Sequence, residues 1–238
     1  MTLKLVIINL LTLIRIIGTI ILIPIYNSYG GVAVGILSLI CYLTDSIDGF
    51  LARHYKASTF FGALFDGFSD KLFTLINFIV LLLITPYAII PIIFEIAIVI
   101  AQVFKFTKNY NVKSNIIGKT KVWVLAICVV ITFLVSDISS IGILSDAFKL
   151  KVIGFNNNSY LPFLMPAIII EFLTLFSYIL EMYNPKHIKI LNKEKKKLVL
   201  PELKNMNMWE KFKAIWLNPE FYEEHKDDTN LKDLIKLF

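Results

Sequence analysis

Residues 45–70 read DSIDGFLARHYKASTFFGALFDGFSD, and this stretch decides the fold. It holds Asp45, Asp48, Asp66 and Asp70, the only acidic side chains before Glu95. Asp45, Asp48 and Ala52 recur at i, i+3 and i+7, with Gly49 one turn beyond Asp45, so they share one helical face. Gly62, Asp66 and Asp70 recur at i, i+4 and i+8 and share another. Lys56–Thr59 centres the turn between them. The register predicts two antiparallel helices whose four carboxylates point into one volume.

Outward from this stretch the chain is apolar. Of its 238 residues 57% are hydrophobic, and the mean hydropathy is +0.71. Both values exceed what a soluble domain of this size carries, and several runs approach the roughly 20 residues that cross a bilayer. The reading is an all-α, polytopic membrane domain over residues 1–183 with a polar tail over 184–238. Six spans are expected, at about 4–26, 31–53, 60–86, 87–104, 117–136 and 160–183. The first has no small-residue cleavage site and too long an apolar run for a signal peptide. Cys41 and Cys128 fall inside spans and form no CxxC pair, so neither a disulfide framework nor a zinc site is expected.

Loop charges give the orientation. The turns near residues 26–31 and 85–90 lack Lys and Arg, whereas Arg53–Ala57 and the loop with Lys105, Lys108, Lys113, Lys119 and Lys121 are basic. The positive-inside rule places both basic loops and both termini in the cytoplasm, with the aspartates on that side. The net charge of +6 then reflects topology and attraction to anionic lipid. No nucleic-acid partner is expected, because the basic residues sit in juxtamembrane loops.

Carboxylates within membrane helices are costly and mark function. Helix caps and snorkelling side chains account for one or two aspartates, but not for four in this register. Unpaired, they would repel one another and lose hydration. Divalent cations resolve this, and an all-carboxylate donor set suits Mg²⁺ or Mn²⁺ better than zinc. Two such ions would clamp phosphate oxygens. Among 24 basic residues only Arg15 and Arg53 are arginine, and both lie in or near the acidic stretch. Arginine offers phosphate a planar fork that lysine lacks. Gly49, Ala52 and Gly62 would either let helices pack closely or leave room for a flat ligand.

The frame Asp45-x-x-Asp48-Gly49-x-x-Ala52-Arg53-x8-Gly62-x3-Asp66-x3-Asp70 matches without a gap the signature of the CDP-alcohol phosphatidyltransferases, and the chain resembles that family over about residues 1–183. The resemblance implies transfer of a phosphatidyl group from CDP-diacylglycerol to an alcohol with release of CMP, in a homodimer of six-helix protomers. It implies Asp45, Asp48 and Asp66 as metal ligands. Asp70 would be the general base, also touching a metal. Arg53 would hold the diphosphate, and Gly49, Ala52 and Gly62 would make room for cytidine. Asn9-Leu10-Leu11-Thr12-x-x-Arg15 is similar to the start of bacterial phosphatidylglycerophosphate and cardiolipin synthases, with Ile8 where those carry proline. It places Asn9, Thr12 and Arg15 toward the nucleotide and implies a bacterial plasma-membrane enzyme. Glycerol 3-phosphate is then the expected acceptor, with Lys105, Lys113 and Lys119 as candidate contacts. Those synthases carry an Arg-Glu pair where this chain reads Ile100-Ala101-Gln102, so phosphatidylglycerol, serine or an inositol phosphate stay open as acceptors.

The tail carries a basic cluster at Lys193–Lys197. Its segment 207–217 has Met208, Trp209, Phe212, Ile215 and Trp216 on one helical face. Such a helix lies either on the membrane surface or on the protein's own cytosolic face. Two further classes are weighed for the whole chain. A cation transporter is disfavoured by the glycine and Arg53 positions and by the apolar outer halves of the helices. The other is a non-enzymatic scaffold that uses the tail to bind membrane or a partner.

Overall fold

A computed structural model describes residues 3–107, 116–138, 157–183 and 206–225, without the side chains of residues 3–9, 53, 106, 107, 116, 119, 157, 158 and 225. Among the described residues the chain is helical and has no strand. The helices are α1 (Leu3–His54), α2 (Phe60–Leu81), α3 (Ile89–Thr107), α4 (Ile116–Ser136), α5 (Leu161–Tyr183), α6 (Met208–Trp216) and α7 (Pro219–His225). Short 3₁₀ turns precede α3 (Pro86–Ala88) and α5 (Asn157–Tyr160).

Leu10–Ala52, Pro86–Lys105 and Leu161–Tyr183 are long and apolar enough to cross a membrane, and Thr120–Ser136 is a shorter apolar helix. They point to a membrane protein. The first stretch has 43 residues. At 1.5 Å per residue that is roughly 65 Å, twice a hydrocarbon core of about 30 Å. It does not run straight. Gly30 has φ 78° and ψ −171°, a conformation open almost only to glycine. Contacts on either side show that the chain doubles back there. A Cβ on Gly18 would come within 2.7 Å of Cys41 Sγ, although 23 residues separate the two positions. The expected spans 4–26 and 31–53 are thus two arms of α1.

The expected span 60–86 is shorter as a helix, because α2 ends at Leu81. Leu83 and Ile84 donate to Val80 and Leu81, three residues back, which is a tightened 3₁₀ end. Thr85 is extended at φ −146° and ψ 132°, as a residue before proline must be. Asp66, Asp70 and Lys71 make the first half of α2 polar, so α2 is not among the membrane-length apolar helices.

The chain divides into two compact units. One comprises Met1–Arg15, Thr44–Lys71 and Leu191–Phe238, and the other comprises Ile16–Leu43 and Leu72–Ile190. In the second unit α5 packs against both α3 and α4. Its core gathers Leu22, Val34, Phe78, Leu125, Phe133 and Leu164. A Cβ on Gly31 would sit 2.7 Å from the Phe133 carbonyl oxygen, and one on Gly35 would lie 3.2 Å from Phe133 Cβ. These two glycines, one turn apart, let α1 and α4 approach closely. Two charged pairs lie here, one buried and one with its carboxylate half-buried. Lys121 of α4 bonds Glu95 of α3, and Lys105 of α3 bonds Glu181 of α5.

Candidate functional site

The first unit carries the aspartates, and local signals shape the turn between their helices. At the end of α1, Lys56 takes a left-handed φ of 49°, and Ala57 N–H donates to the Ala52 carbonyl at 3.0 Å. This six-residue closure satisfies an orphan carbonyl of the last turn. Thr59 then caps α2, its Oγ1 accepting from Gly62 N–H at 3.0 Å. Gly62 has a specific reason to lack a side chain, since its Cβ would lie 2.9 Å from that hydroxyl.

The capped turn sets the two aspartate pairs facing one guanidinium. Arg15 is fully buried. Its Nη2 lies 2.7 Å from Asp45 Oδ1 and 2.7 Å from Asp48 Oδ2. Its Nη1 lies 3.0 Å from Asp66 Oδ1 and also bonds Asp70. Each nitrogen therefore bridges the two aspartates of one helix. Contact between Arg15 and Asp48, 33 positions apart, again requires the arms of α1 to run side by side. The carboxylates differ in access. Asp48 is 3% exposed, whereas Asp66 and Asp70 are 38% and 41% exposed.

Among the described ion pairs, one guanidinium against four carboxylates gives this group a formal charge of −3 when all four are ionised (four negative, one positive). Buried charge left uncompensated is costly, so the cluster calls for further positive charge. Asp45, Asp48 and Asp66 each offer a carboxylate oxygen, and the three oxygens lie within 4.8 Å of one another. Hard oxygen donors at this spacing fit a divalent cation such as Mg²⁺ or Mn²⁺.

Beside the cluster is a cavity of about 240 Å³. Thr12, Asp48 and Asp66 line its polar side, and Gly49, Ala52 and Gly62 give it small-residue walls. The structure thus brings together Thr12, Gly49, Ala52 and Gly62 as the sequence suggests. Arg15 stands among the carboxylates themselves. Asn9 lies on α1 and Arg53 near its end, but their side chains are outside the described residues. Of the acceptor candidates, Lys105 is buried, paired with Glu181, and lies 4.4 Å from the Tyr178 ring centroid. Lys113 and the Lys119 side chain are outside the described residues.

Five further residues line the cavity beyond the sequence candidates: Ala57, Ser58, Thr59, Ala63 and Tyr222. Thr59 was legible, because a threonine just before an apolar helix is a cap signal. Tyr222 was not, because no local pattern ties a tail residue to a turn more than 160 positions earlier.

Residues 5–153 match the family described as CDP-alcohol phosphatidyltransferase, and the chain belongs to that family. No curated protein sequence matches it. The protein is a transferase of phospholipid biosynthesis, taking its group from a CDP-alcohol donor to an alcohol acceptor. Enzymes of this family are typically dependent on divalent metal, and the acidic cluster could hold one.

Proposed function

We propose that this enzyme transfers the phosphatidyl group of CDP-diacylglycerol to glycerol 3-phosphate, giving phosphatidylglycerophosphate and CMP. The observation that carries the reading is the convergence of all four aspartates on one guanidinium beside a cavity walled by small residues. Asp45, Asp48 and Asp66 would hold Mg²⁺ or Mn²⁺, two ions in all, and Asp70 would also touch a metal. When bound, the metal spreads diphosphate charge and stabilises the departing CMP. Asp70 takes the proton of the acceptor hydroxyl. Its greater exposure beside Asp48 suits a group that must meet an incoming alcohol. Arg53, at the end of the same helix as Asp48, grips the diphosphate with its fork. The cavity is small next to the 300–1,000 Å³ of a typical ligand pocket. It suits the nucleotide end of the donor, with the lipid chains left in the bilayer.

The membrane of this reading is a bacterial plasma membrane, with the site and both termini cytoplasmic and the enzyme a homodimer. The N-terminal Asn9–Arg15 motif supports glycerol 3-phosphate. With Lys105 bonded to Glu181, the acceptor phosphate falls to Lys113 and Lys119. A second acceptor reading, phosphatidylglycerol, serine or an inositol phosphate, is favoured by Ile100-Ala101-Gln102, because Gln102 bonds the Tyr178 hydroxyl at 3.4 Å and brings no charge for a phosphate. The test is CMP release by purified protein from CDP-diacylglycerol with Mg²⁺ or Mn²⁺ and each acceptor in turn. Glycerol 3-phosphate should give the fastest metal-dependent release. A faster rate with another alcohol would reassign the acceptor, and no release with any alcohol would refute the reaction.

A further inference from the structure

The tail is placed where it touches the chemistry. The family match ends at residue 153, yet Tyr222 lines the same cavity as Asp48, Gly49, Gly62 and Asp66. Tyr222 is held there by a small hydrophobic core of its own. Ile215 is fully buried, and Trp216 nearly so, against Phe60 at the first turn of α2. Phe60 also meets the Tyr222 ring edge-on, centroids 4.9 Å apart, and the Phe221 ring at 6.2 Å. Helix α6 is fixed at its start by a capping box, with Asn207 N–H donating to Glu210 Oε2 at 3.1 Å. The Asn218 side chain accepts from Glu220 N–H at 3.0 Å and starts α7. The tyrosine is therefore set by packed and capped elements rather than by a loose end.

Its chemistry complements the other walls. Gly49, Ala52, Ala57, Gly62 and Ala63 present little but backbone and methyl groups to the cavity. They offer space but no flat π-face. Tyr222 adds an aromatic ring that is half-exposed, opposite in character to the carboxylates that would hold metal and diphosphate. A nucleoside diphosphate needs both ends: charge for the phosphates and an apolar or aromatic surface for the base. Base–aromatic stacking is worth about 1–3 kcal/mol per base.

We propose that Tyr222 is a donor-binding residue, its ring contacting the nucleoside of the CDP-alcohol, and that α7 supplies this wall of the nucleotide pocket, braced through Phe60 by α6. This rests on reading the cavity as the donor site. It makes the tail a part of donor recognition that the matched segment does not supply.

The test uses full-length protein in detergent, with Mg²⁺ and CMP as the probe in calorimetric titrations. Tyr222→Leu keeps an apolar contact to Phe60 and removes the ring. It should weaken CMP binding about 10-fold, within the range expected for one stacked base, and raise KM for the donor with little change in kcat. Tyr222→Phe should restore affinity to within about 2-fold. Ribose 5-phosphate, which has no base, should bind all three proteins alike, and their thermal midpoints should agree. Unchanged CMP affinity in Tyr222→Leu, or equal losses for CMP and ribose 5-phosphate, would overturn the role of Tyr222 while leaving the donor site standing. Wild-type protein that binds no CMP would overturn the donor-site reading and the tail's role with it.

Discussion

Two sets of charge, each centred on a buried cation, lie among the described residues, and they are built on different arithmetic. In the second unit Lys121 meets Glu95 and Lys105 meets Glu181, one ammonium to one carboxylate. In the first unit, among the described ion pairs, the one guanidinium of Arg15 faces four carboxylates. Both lie in apolar surroundings where isolated charge is costly. The paired set is locally neutral and ties helices together. The aspartate set carries a formal excess of negative charge among the described ion pairs, and in the proposed function a divalent cation neutralises it. That contrast separates charges used for architecture from charges used for a ligand. It explains why Lys105, attractive by position as an acceptor contact, is better understood as half of a structural pair.

Substitutions test whether the two sets differ in role, and turnover should respond most. Asp70→Asn should lower kcat by about 10²–10⁴-fold, the range of a lost general base, while CMP still binds. A proportional loss of CMP binding would make Asp70 a ligand-holding group instead. Next comes the counter-ion. Arg15→Met removes the only described cation in the cluster and should cost metal-free protein about 3–5 kcal/mol, as when one partner of a buried ion pair is removed. Added Mn²⁺ should raise the thermal midpoint of this variant more than that of wild type. Equal shifts would show that the cluster does not need Arg15 when metal is scarce. The smallest effect belongs to a neutral exchange. Replacing Lys121 and Glu95 together by Met should leave thermal stability within about 1 kcal/mol of wild type, because a balanced buried pair contributes little net stability. A large loss in this double variant, measured by the same melts, would give the pair a role beyond architecture.

Much of this contrast was legible in the chain itself. The aspartate register, the Lys56–Thr59 turn and the small residues beside the carboxylates follow from helical periodicity and cap chemistry, which are local. The turn expected near residues 26–31 falls where Gly30 pivots α1. What local pattern could not carry is which distant residues meet. Arg15 reaches Asp48 only because the two arms of α1 align in one register across 33 positions. Lys105 finds Glu181 across 76 positions. Tyr222 joins the cavity because Phe60 offers a surface for Trp216 and Ile215. Amphipathicity in α6 showed that one face would be covered, but not by what. In the structure Ile215 and Trp216 are buried while Met208 and Trp209 stay exposed, so the helix uses part of its apolar face on the protein and leaves part outward.

In the proposed function, the excess charge at the aspartates serves to bind a divalent cation. The most direct measurement is Mn²⁺ binding to purified protein by electron paramagnetic resonance, comparing wild type, Asp48→Asn and the Lys121/Glu95 double Met variant. The account predicts tight binding by wild type and by the double variant, and binding weakened at least about 10-fold in Asp48→Asn, as for loss of a directly coordinating carboxylate. Wild-type affinity in Asp48→Asn, or no Mn²⁺ binding by wild type, would contradict it.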